Sequence, residues 1–496
     1  LLVPLYLIFG GEPTAPIHAV LVLMALATVA SAWLLYRIVA RYVRVSAAVT
    51  AALLWVFAPV VVRQSANGLE TALALLLLAA SVDFYLSRIR PAERPRRRDF
   101  AAMGLLLALA VLARVDQIFL ALAMTLDYLL VIRRRGAPAR ANLRGLLLAA
   151  AVTTALVVPW PLFGALAVGS PFPQSGTATR YLSLAYAPHF HMAGESIADT
   201  GPTVAFLWAH VEHSLSVLKI NPFTHTFFRA LEKVGGAVSA QQAARGVAGV
   251  AGVCMLLAAG AWLARRLRRS GHAARELAFL LLYAVTLIAA YSFYVFGSFF
   301  FVRYYYPLFF VAAIFGALMV EEVMRAWPRA SAWLRRVAAS GALAYVLAFA
   351  YMSYSSGFRS APVYHFYDVA RWVSTHTAVD DTVGTFQSGA IGYLSGRRVV
   401  NLDGKVNGEA FAALRAGKLG AYVESAGIDL LVDQGNVLSL FLARETAGLG
   451  ARMATDRRLT GADLGAPGWV GYHLVPRLGG RAAPDASVGP PSSLGP

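Results

Sequence analysis

Residues 96–135 read RRRDFAAMGLLLALAVLARVDQIFLALAMTLDYLLVIRRR. Two apolar arms, 100–113 and 117–133, lie between arginine clusters and are joined by a polar tip. Basic residues accumulate on the cytoplasmic side of membrane proteins, so both ends of the stretch are expected on that side. The stretch therefore predicts a hairpin of two membrane helices. Because its arms are short, we expect the tip to turn below the outer surface, with Arg114 and Asp116 lining an outward-facing polar cavity.

The composition of the whole chain agrees with this interpretation. Of its 496 residues, 58% are hydrophobic and only 14% are charged. A soluble domain carries about a quarter charged residues, so the chain is predicted to be a polytopic α-helical membrane protein. Its single cysteine, Cys254, excludes a disulfide within the chain. Ten apolar segments are predicted to cross the membrane: 16–36, 46–62, 69–86, 100–113, 117–133, 145–165, 246–264, 276–296, 303–320 and 338–354.

The joints between these segments predict the orientation. Joints after the first, third, fifth, seventh and ninth segments hold 23 arginines, whereas the alternate short joints hold three. This alternation predicts that the arginine-rich joints are cytoplasmic. It also explains most of the net charge of +18 as a signal for topology, so nucleic acid is not expected as a partner.

Two long hydrophilic regions are then left outside, the loop 166–245 and everything from about residue 355 onward. We predict a transmembrane domain over 1–354 that includes the loop, a small extracytoplasmic α/β domain over 355–476, and a disordered tail over 477–496. Amphipathic helices are expected at 204–218 and 222–235 in the loop. In the C-terminal domain, strands are expected at 382–387, 398–402, 428–433 and 469–475, and helices at 366–377, 408–424 and 437–447.

Two polar clusters lie at predicted outer helix ends, and each has a structural alternative. Asn67 to Glu70 has the spacing of a helix capping box, although Glu70 is also a candidate site residue. Arg114 and Asp116 form either a local ion pair or part of a functional site, since charges at membrane depth mark such sites.

Two further clusters follow. Residues 169–174, GSPFPQ, end the sixth segment and precede Arg180, although the prolines alone explain the stop. Arg303 is the lone cation of its joint and begins the ninth segment, with Tyr304 in an expected aromatic belt. An anionic head group or lipid phosphate is a natural ligand for its guanidinium.

Histidine pairs offer a weaker possibility. His189 pairs with His191, and His210 with His213, but no third ligand can be assigned, so no metal site is predicted. Whether a divalent ion assists as a cofactor stays open. Walker, GxSxG, HExxH and Rossmann patterns are absent from the sequence.

Five motifs follow one another along the chain: NGLET at 67–71, ARVDQ at 113–117, GSPFPQ at 169–174, RYYYP at 303–307 and GAIGYLSGRRVVNLDGKVN at 389–407. In this order they resemble membrane glycosyltransferases of the GT-C superfamily, particularly bacterial ones that build cell-envelope glycans. The resemblance implies a helical bundle in the plasma membrane with a soluble C-terminal domain over an outward cavity. It also implies transfer of a sugar, of arabinofuranose or mannose type, from a polyprenyl-phosphate carrier to an envelope glycan or lipid acceptor.

The resemblance also implies a mechanism and roles for residues. A carboxylate deprotonates the acceptor hydroxyl in a single inverting displacement, while cations stabilise the leaving phosphate. We expect Arg303, then Arg114 and Arg180, at the phosphate. Asp116 and Glu70 are expected to orient these arginines or to bind sugar hydroxyls. Further substrate contacts are assigned to Gln174, Tyr304, Asp403 and Lys405, although a structural turn explains the last two equally.

The sequence also departs from this family. The family's catalytic acid lies in the first outer loop, and only Glu12 in residues 1–15 offers a carboxylate. We therefore expect a preceding segment to carry the principal acid. At 174–176, Gln-Ser-Gly replaces the usual Asn-Thr-Tyr. A transporter or flippase, a polymerase or ligase that uses diphosphate-linked donors, and a non-catalytic assembly protein remain alternatives.

Overall fold

The structure is a computed structural model that describes residues 2–9, 14–135, 139–187, 196–210, 272–296, 302–326, 365–442 and 458–474, together with a few isolated positions. The chain forms two compact units. The first comprises residues 1–172 and 183–355, and the second comprises residues 173–182 and 356–496.

The first unit is helical. Its helices up to the unit boundary are α1 (Leu2–Phe9), α2 (Ala15–Val39), α3 (Val45–Val56), α4 (Pro59–Ser65), α5 (Thr71–Phe84), α6 (Arg97–Ala113), α7 (Ile118–Arg135), α8 (Ala139–Val157) and α9 (Pro159–Val168). Helix α10 (Gln174–Ala185) runs across the boundary between the units. The later helices are α11 (His272–Glu276), α12 (Ala278–Ala290) and α13 (Tyr306–Ala326). Two of these helices continue as π-helical turns, Tyr85–Ile89 after α5 and Tyr291–Val295 after α12.

Five stretches in the described residues are long and apolar enough to cross a membrane: Ala15–Val39, Thr71–Ile89, Val115–Arg134, Arg140–Ala167 and Arg303–Ala326. They coincide with five of the ten segments that were predicted to cross the membrane. The predicted segments 46–62 and 276–296 correspond to shorter apolar helices, Val45–Val56 and Ala278–Tyr294. The predicted arm 100–113 is part of α6, which is 17 residues long. The segments 246–264 and 338–354 lie wholly or very largely outside the described residues.

The second predicted crossing is interrupted by an extended residue. The segment 46–62 is divided between α3 and α4, because Ala58 is extended and Pro59 starts the second helix. Proline disfavours a helical conformation in the residue before it and has no N–H to continue the hydrogen-bond ladder, so the break follows from the sequence. By contrast, the stop predicted at GSPFPQ is confirmed: α9 ends at Val168, and the next residue, Gly169, has a φ of 77° in the left-handed region.

The arginine-rich helix ends are held together by ion pairs. Asp83 on α5 accepts from Arg37 and Arg41, with nitrogen–oxygen distances of 3.1 and 2.6 Å. Arg90 is buried and binds Asp127 on α7 at 2.9 Å and Glu276 on α11 at 3.0 Å. A buried carboxylate needs such partners, so these pairs fix the ends of α2, α5, α7 and α11 relative to one another. Glu321 on α13 is held in the same way, by Arg44 and Arg325.

The second unit contains a five-stranded sheet with helices. Its elements are α14 (Phe366–His376), β1 (Thr382–Thr385), α15 (Ser388–Leu394), β2 (Arg398–Asn401), α16 (Gly408–Arg415), α17 (Leu419–Ser425), β3 (Leu430–Gln434), α18 (Gly435–Leu442), β4 (Arg458–Leu459) and β5 (Trp469–His473). The strand order is β2-β1-β3-β5-β4. The first three strands are parallel, and β5 pairs antiparallel with β3 and β4.

The core of this sheet explains why its strands are so apolar. Val383, Leu430, Val432 and Trp469 are buried beneath α14 and α15 in one cluster. A strand covered on both faces is expected to be rich in hydrophobic residues, and Leu430, Leu431 and Val432 are buried in succession in β3. All four predicted strands are found within two residues of their expected starts and ends. The predicted helix 408–424 is wrong as one element, because Gly417, at φ 64°, separates α16 from α17.

Some predicted features fall outside the described part of the chain. The tail 477–496 and the helix 222–235 lie there entirely, as do His189, His191 and His213. Helix 204–218 is described only over 204–210, which is helical. Helix 437–447 is described as far as 442, within α18.

Candidate active site

Glu70, at the start of α5, does not serve the capping box that its spacing suggests. Helix α5 begins at Thr71, and the Asn67 side-chain oxygen instead accepts the backbone N–H of Leu69 at 2.9 Å. The Glu70 carboxylate binds the Arg114 guanidinium, with 3.1 Å between Oε1 and Nη1. The capping-box interpretation is therefore wrong, and Glu70 joins α5 to the tip of the hairpin.

Arg114 lies at the centre of the hairpin tip. Its Nη2 is 2.7 Å from Asp116 Oδ2, and its Nε donates to both oxygens of the same carboxylate. The side chains of Arg114 and Asp116 are 8% and 7% exposed, whereas that of Glu70 is 42% exposed. Because its donors are directed to two carboxylates, Arg114 neutralises acids within the protein. The side chains of Arg114 and Asp116 are therefore largely enclosed, and the polar cavity expected at this tip stays a prediction.

Two tyrosines connect this tip to the start of the ninth predicted crossing. The Tyr291 hydroxyl donates to Asp116 Oδ2 at 2.5 Å. The Tyr291 ring stacks on Tyr304, with ring centroids 4.6 Å apart and planes inclined by 19°. The Tyr304 ring lies 5.7 Å from the Arg114 guanidinium and 5.6 Å from that of Arg303, both within cation–π range. Three segments far apart in sequence thus meet around one aromatic ring.

In this cluster, one pair of side chains has a structural role, and two other side chains can bind a ligand. Asp116 and Arg114 are buried and hold each other, so they form the rigid part of the site. Glu70 exposes part of its carboxylate, which can accept a hydrogen bond from a hydroxyl group. Arg303 is half-buried and presents the second cation, which can bind an anionic oxygen.

The other predicted site residues lie in the second unit. Gln174 donates from Nε2 to the carbonyl oxygen of Gly404 at 2.6 Å, and Lys405 Nζ lies 2.6 Å from Asp403 Oδ2. Asp403 also accepts the backbone N–H of Lys405 at 2.9 Å, which makes a compact turn. Arg180 is half-buried in α10. These residues belong to the second unit, whereas the cluster around Tyr304 belongs to the first.

Sequence reasoning missed Tyr291. The available signal was its place in YSFY at the predicted outer end of 276–296, at the same depth as Tyr304. Among the described residues, no group of three or more His, Cys, Asp or Glu side chains is placed to hold a metal ion. His210 is buried and packs its ring against Phe206 and Phe296.

Comparison with known proteins gives the class. Residues 6–163, which include Glu70, Arg114 and Asp116, match the family model of dolichyl-phosphate-mannose-protein mannosyltransferases. This match confirms the resemblance of residues 6–163 to the GT-C superfamily of membrane glycosyltransferases. Residues 350–475 match a second model, described as a domain of unknown function. No curated protein matches the sequence.

Among solved structures, the chain is similar to two of an oligosaccharyltransferase from Archaeoglobus fulgidus. One, a complex with Zn and sulfate, has a TM-score of 0.49 and 15% identity over 90% of this chain. The other, AglB with an inhibitory peptide and a dolichol-phosphate, has a TM-score of 0.49 and 13% identity over 93% of this chain. The chain spans 60% and 64% of the length of these two proteins.

Proposed function

We propose that the protein transfers a sugar from a polyprenyl-phosphate carrier to a cell-envelope glycan or lipid acceptor, at the outer face of a bacterial plasma membrane. The observation that carries this proposal is the meeting of Glu70, Arg114, Asp116 and Arg303 around Tyr304. The family match over residues 6–163 supports a polyprenyl-phosphate donor, because the matching family is described by dolichyl-phosphate-mannose.

Arg303 is proposed to bind the phosphate of the donor. Its neighbour in the cluster, Arg114, already faces two carboxylates, which together outweigh its charge. Arg303 is the second cation of the cluster, with its guanidinium 5.6 Å from the Tyr304 ring, and is proposed to add positive charge for an anionic ligand. A fixed cation beside the departing phosphate lowers the barrier, because it is already oriented when negative charge develops.

Glu70 is proposed to bind a sugar hydroxyl, and Asp116 to keep Arg114 and Tyr291 in place. The base that deprotonates the acceptor is expected in an outer loop, as the family resemblance implies, and is not assigned to a described residue. A single displacement by the acceptor hydroxyl inverts the anomeric carbon, and the polyprenyl phosphate leaves with the electron pair of the broken bond. Gln174, Arg180, Asp403 and Lys405 in the second unit are proposed to contact the acceptor.

The test is a transfer assay with the full-length protein in proteoliposomes. Polyprenyl-phosphate mannose and polyprenyl-phosphate arabinofuranose are supplied in turn with an envelope-glycan acceptor, and a nucleotide sugar serves as the control donor. We expect one lipid-linked donor to yield a glycosylated acceptor of inverted configuration and free polyprenyl phosphate. Translocation of an intact donor without cleavage would instead establish a transporter. If both lipid donors were neither cleaved nor moved, the proposal would fail in favour of an assembly role.

A further inference from the structure

Exposed arginines cover the helix ends opposite the Tyr304 cluster. They lie on the joint between α5 and α6 and on the facing ends of α7 and α8: Arg94, Arg96, Arg97, Arg98, Arg133, Arg134, Arg140 and Arg144. The Asn142 side-chain amide donates to the carbonyl oxygen of Glu93 at 3.2 Å, and its oxygen accepts from the Tyr128 hydroxyl at 3.2 Å. These bonds join the two loops, so the eight arginines form one surface, which we call the arginine surface.

The arginine surface differs from the other arginines on these helix ends. Arg37, Arg41 and Arg90 bind buried carboxylates, as described above. Within the described ranges, none of the eight surface arginines takes part in an ion pair with an acid. The nearby acids are few: Glu93 is exposed, and Asp99 accepts the backbone N–H of Arg96 at 3.1 Å. The arginine surface is therefore strongly positive and open to an anionic ligand.

An apolar cavity of about 330 Å³ lies between α6, α7 and α8, next to this surface. Its lining includes Ile89, Phe100, Leu107, Ile118, Tyr128 and Leu146. Phe100 lies three residues after Arg97, and Leu146 lies two residues after Arg144, so one end of the cavity adjoins the arginines. The cavity contains alanine and threonine positions as well as rings, which leaves room for a chain between the helices.

The length of the cavity matches one leaflet. Its lining on α7 runs from Tyr128 to Ile118, which is about 15 Å along a helix at 1.5 Å per residue. The hydrocarbon core of a bilayer is about 30 Å thick, so one leaflet contributes about 15 Å. An acyl chain that enters beside the arginine surface therefore reaches the midplane within this cavity.

We propose that this face of the protein binds one anionic phospholipid, with its phosphate on the arginine surface and one acyl chain in the apolar cavity. Clustered arginines beside a membrane helix attract anionic head groups, at about 1 kcal/mol for each charge near the surface. The cavity turns that general attraction into a defined site, because it accepts an apolar chain directly adjacent to the charge. The lipid is distinct from the sugar donor, whose phosphate is assigned to Arg303 at the other helix ends.

The first test compares two lipids on the purified full-length protein by native mass spectrometry. Dioleoyl phosphatidylglycerol and dioleoyl phosphatidylcholine are titrated in detergent. We expect one phosphatidylglycerol to bind about tenfold more tightly than phosphatidylcholine, which corresponds to about 1.4 kcal/mol.

A pair of variants then tests the cavity. Ala150, an exposed residue that lines the cavity, is changed to Phe to fill it, and Ala155→Phe on the exposed face of α8 is the control. Ala150→Phe should remove the tight binding, and Ala155→Phe should keep it.

The second test changes charge. Arg97→Gln with Arg144→Gln should weaken phosphatidylglycerol binding about tenfold. Arg268→Gln with Arg269→Gln removes the same charge from another predicted cytoplasmic joint and should leave the binding unchanged. Equal binding of both lipids would overturn the proposal. A second contrary result would be that both double arginine variants weaken phosphatidylglycerol binding equally while Ala150→Phe binds it like the wild type. The lipid would then be held by the general positive charge of the protein and not by a defined site. Displacement of phosphatidylglycerol by polyprenyl phosphate at this site would overturn it in favour of a donor site.

Discussion

The Gln174 side chain donates from Nε2 to the carbonyl oxygen of Gly404 at 2.6 Å, across 230 residues of sequence. The bond joins the GSPFPQ motif at 169–174 to the motif at 389–407, two of the motifs on which the family resemblance rests. Tyr181, further along α10, packs edge-on against Phe411 at 5.6 Å and donates to the carbonyl oxygen of Leu414 at 3.4 Å. The first turns of α10 therefore belong structurally to the sheet unit, although they follow a membrane helix in sequence.

Replacing Gln174 should destabilise this unit. Gln174→Ala loses the bond to Gly404, and a net loss of about 1 kcal/mol is expected for one hydrogen bond. Gly404→Ala should cost more, because Gly404 has a φ of 74° and an added Cβ would lie 2.8 Å from Phe411 Cβ. Thermal unfolding of the full-length protein measures both. Gly396→Ala is the control, since it has a φ of 64° but nothing within 4 Å of an added Cβ. If Gly404→Ala were no worse than Gly396→Ala, the close contact would have no energetic weight.

Arg303 should affect turnover more than folding. We expect Arg303→Ala to insert normally and to lower the transfer rate about a hundredfold or more, the loss of one preorganised charge contact. Arg303→Lys keeps the charge without the fork of donors and should recover part of the rate. Arg88→Ala, at an exposed arginine on the opposite helix ends, is the control. An unchanged rate in Arg303→Ala would remove Arg303 from the site.

Glu70 and Asp116 both bind Arg114, but we expect substitution of Asp116 to lower stability and substitution of Glu70 mainly to lower the rate of sugar transfer. Asp116→Asn leaves a buried guanidinium without its close carboxylate and should cost about 3–5 kcal/mol. Glu70→Gln changes a partly exposed pair and should cost at most about 1 kcal/mol, yet it should lower transfer because the hydroxyl-binding oxygen is altered. Thermal unfolding and initial rates, measured on both variants, give the comparison. Similar losses of stability would contradict the assignment of Asp116 as the structural member.

Two buried tyrosines provide a matched pair. Tyr291 donates to Asp116, whereas the Tyr306 hydroxyl is buried without a hydrogen-bond partner among the described residues. Tyr291→Phe should destabilise by about 1.5–3 kcal/mol, the range for a bond to a charged group. Tyr306→Phe removes an unsatisfied hydroxyl and keeps the ring on Trp55, so it should be neutral or stabilising. The prediction fails if the unfolding temperatures of the two variants fall equally.

Asp433 should make the stability of the sheet unit depend on pH. Burial raises the pKa of this carboxyl above its ordinary value of 3.8, and bonds from Thr385, Gln387 and neighbouring backbone groups oppose that rise with a smaller effect. The folded state therefore keeps a proton that the unfolded chain has lost, and stability should fall as pH rises from 3.8 through the raised pKa.

Thermal unfolding at a series of pH values tests this sign. Asp433→Asn should lower the unfolding temperature, because an amide N–H₂ then faces the N–H donors of Phe386 and Gln434. It should also flatten the dependence on pH. Asp380→Asn, at an exposed position, should unfold with the pH dependence of the wild type. A wild-type stability that rises with pH in this window, and an Asp433→Asn variant that keeps the same slope, would contradict the assignment.

Local pattern was sufficient to predict most elements. The strand Leu430–Gln434 begins with three apolar residues and ends in two polar ones, and the apolar stretch Arg303–Ala326 is long enough to predict a membrane helix. The two-residue strand Arg458–Leu459 was not predicted, because it is too short to show a period. The order of the strands was not predicted either, since it depends on pairing between distant segments, such as Val383 with Leu430 and Leu430 with His473.

The sequence predicted candidate site residues, but it did not predict the contacts between them. Charge at membrane depth singled out Arg114 and Asp116, and isolation in a short joint singled out Arg303. Sequence spacing gave the wrong partner for Glu70, because a local capping rule competes with an ion pair that joins residues 44 positions apart. Tyr291 escaped notice because tyrosine near a membrane surface is common, and only the fold brings its hydroxyl to Asp116.

The assignment of residues 173–182 to the sheet unit limits how its two sequence segments can be exchanged during evolution. The chain enters that unit, returns to the helical unit at Ser183, and enters the sheet unit again after Ser355. A fragment cut at residue 356 would leave Gly404 without its donor and Phe411 without Tyr181. Shuffling a C-terminal module between relatives therefore needs a matching exchange of ten residues from the middle of the gene. The segments 173–182 and 356–496 are expected to coevolve, and a chimera that receives only one of them should fold poorly.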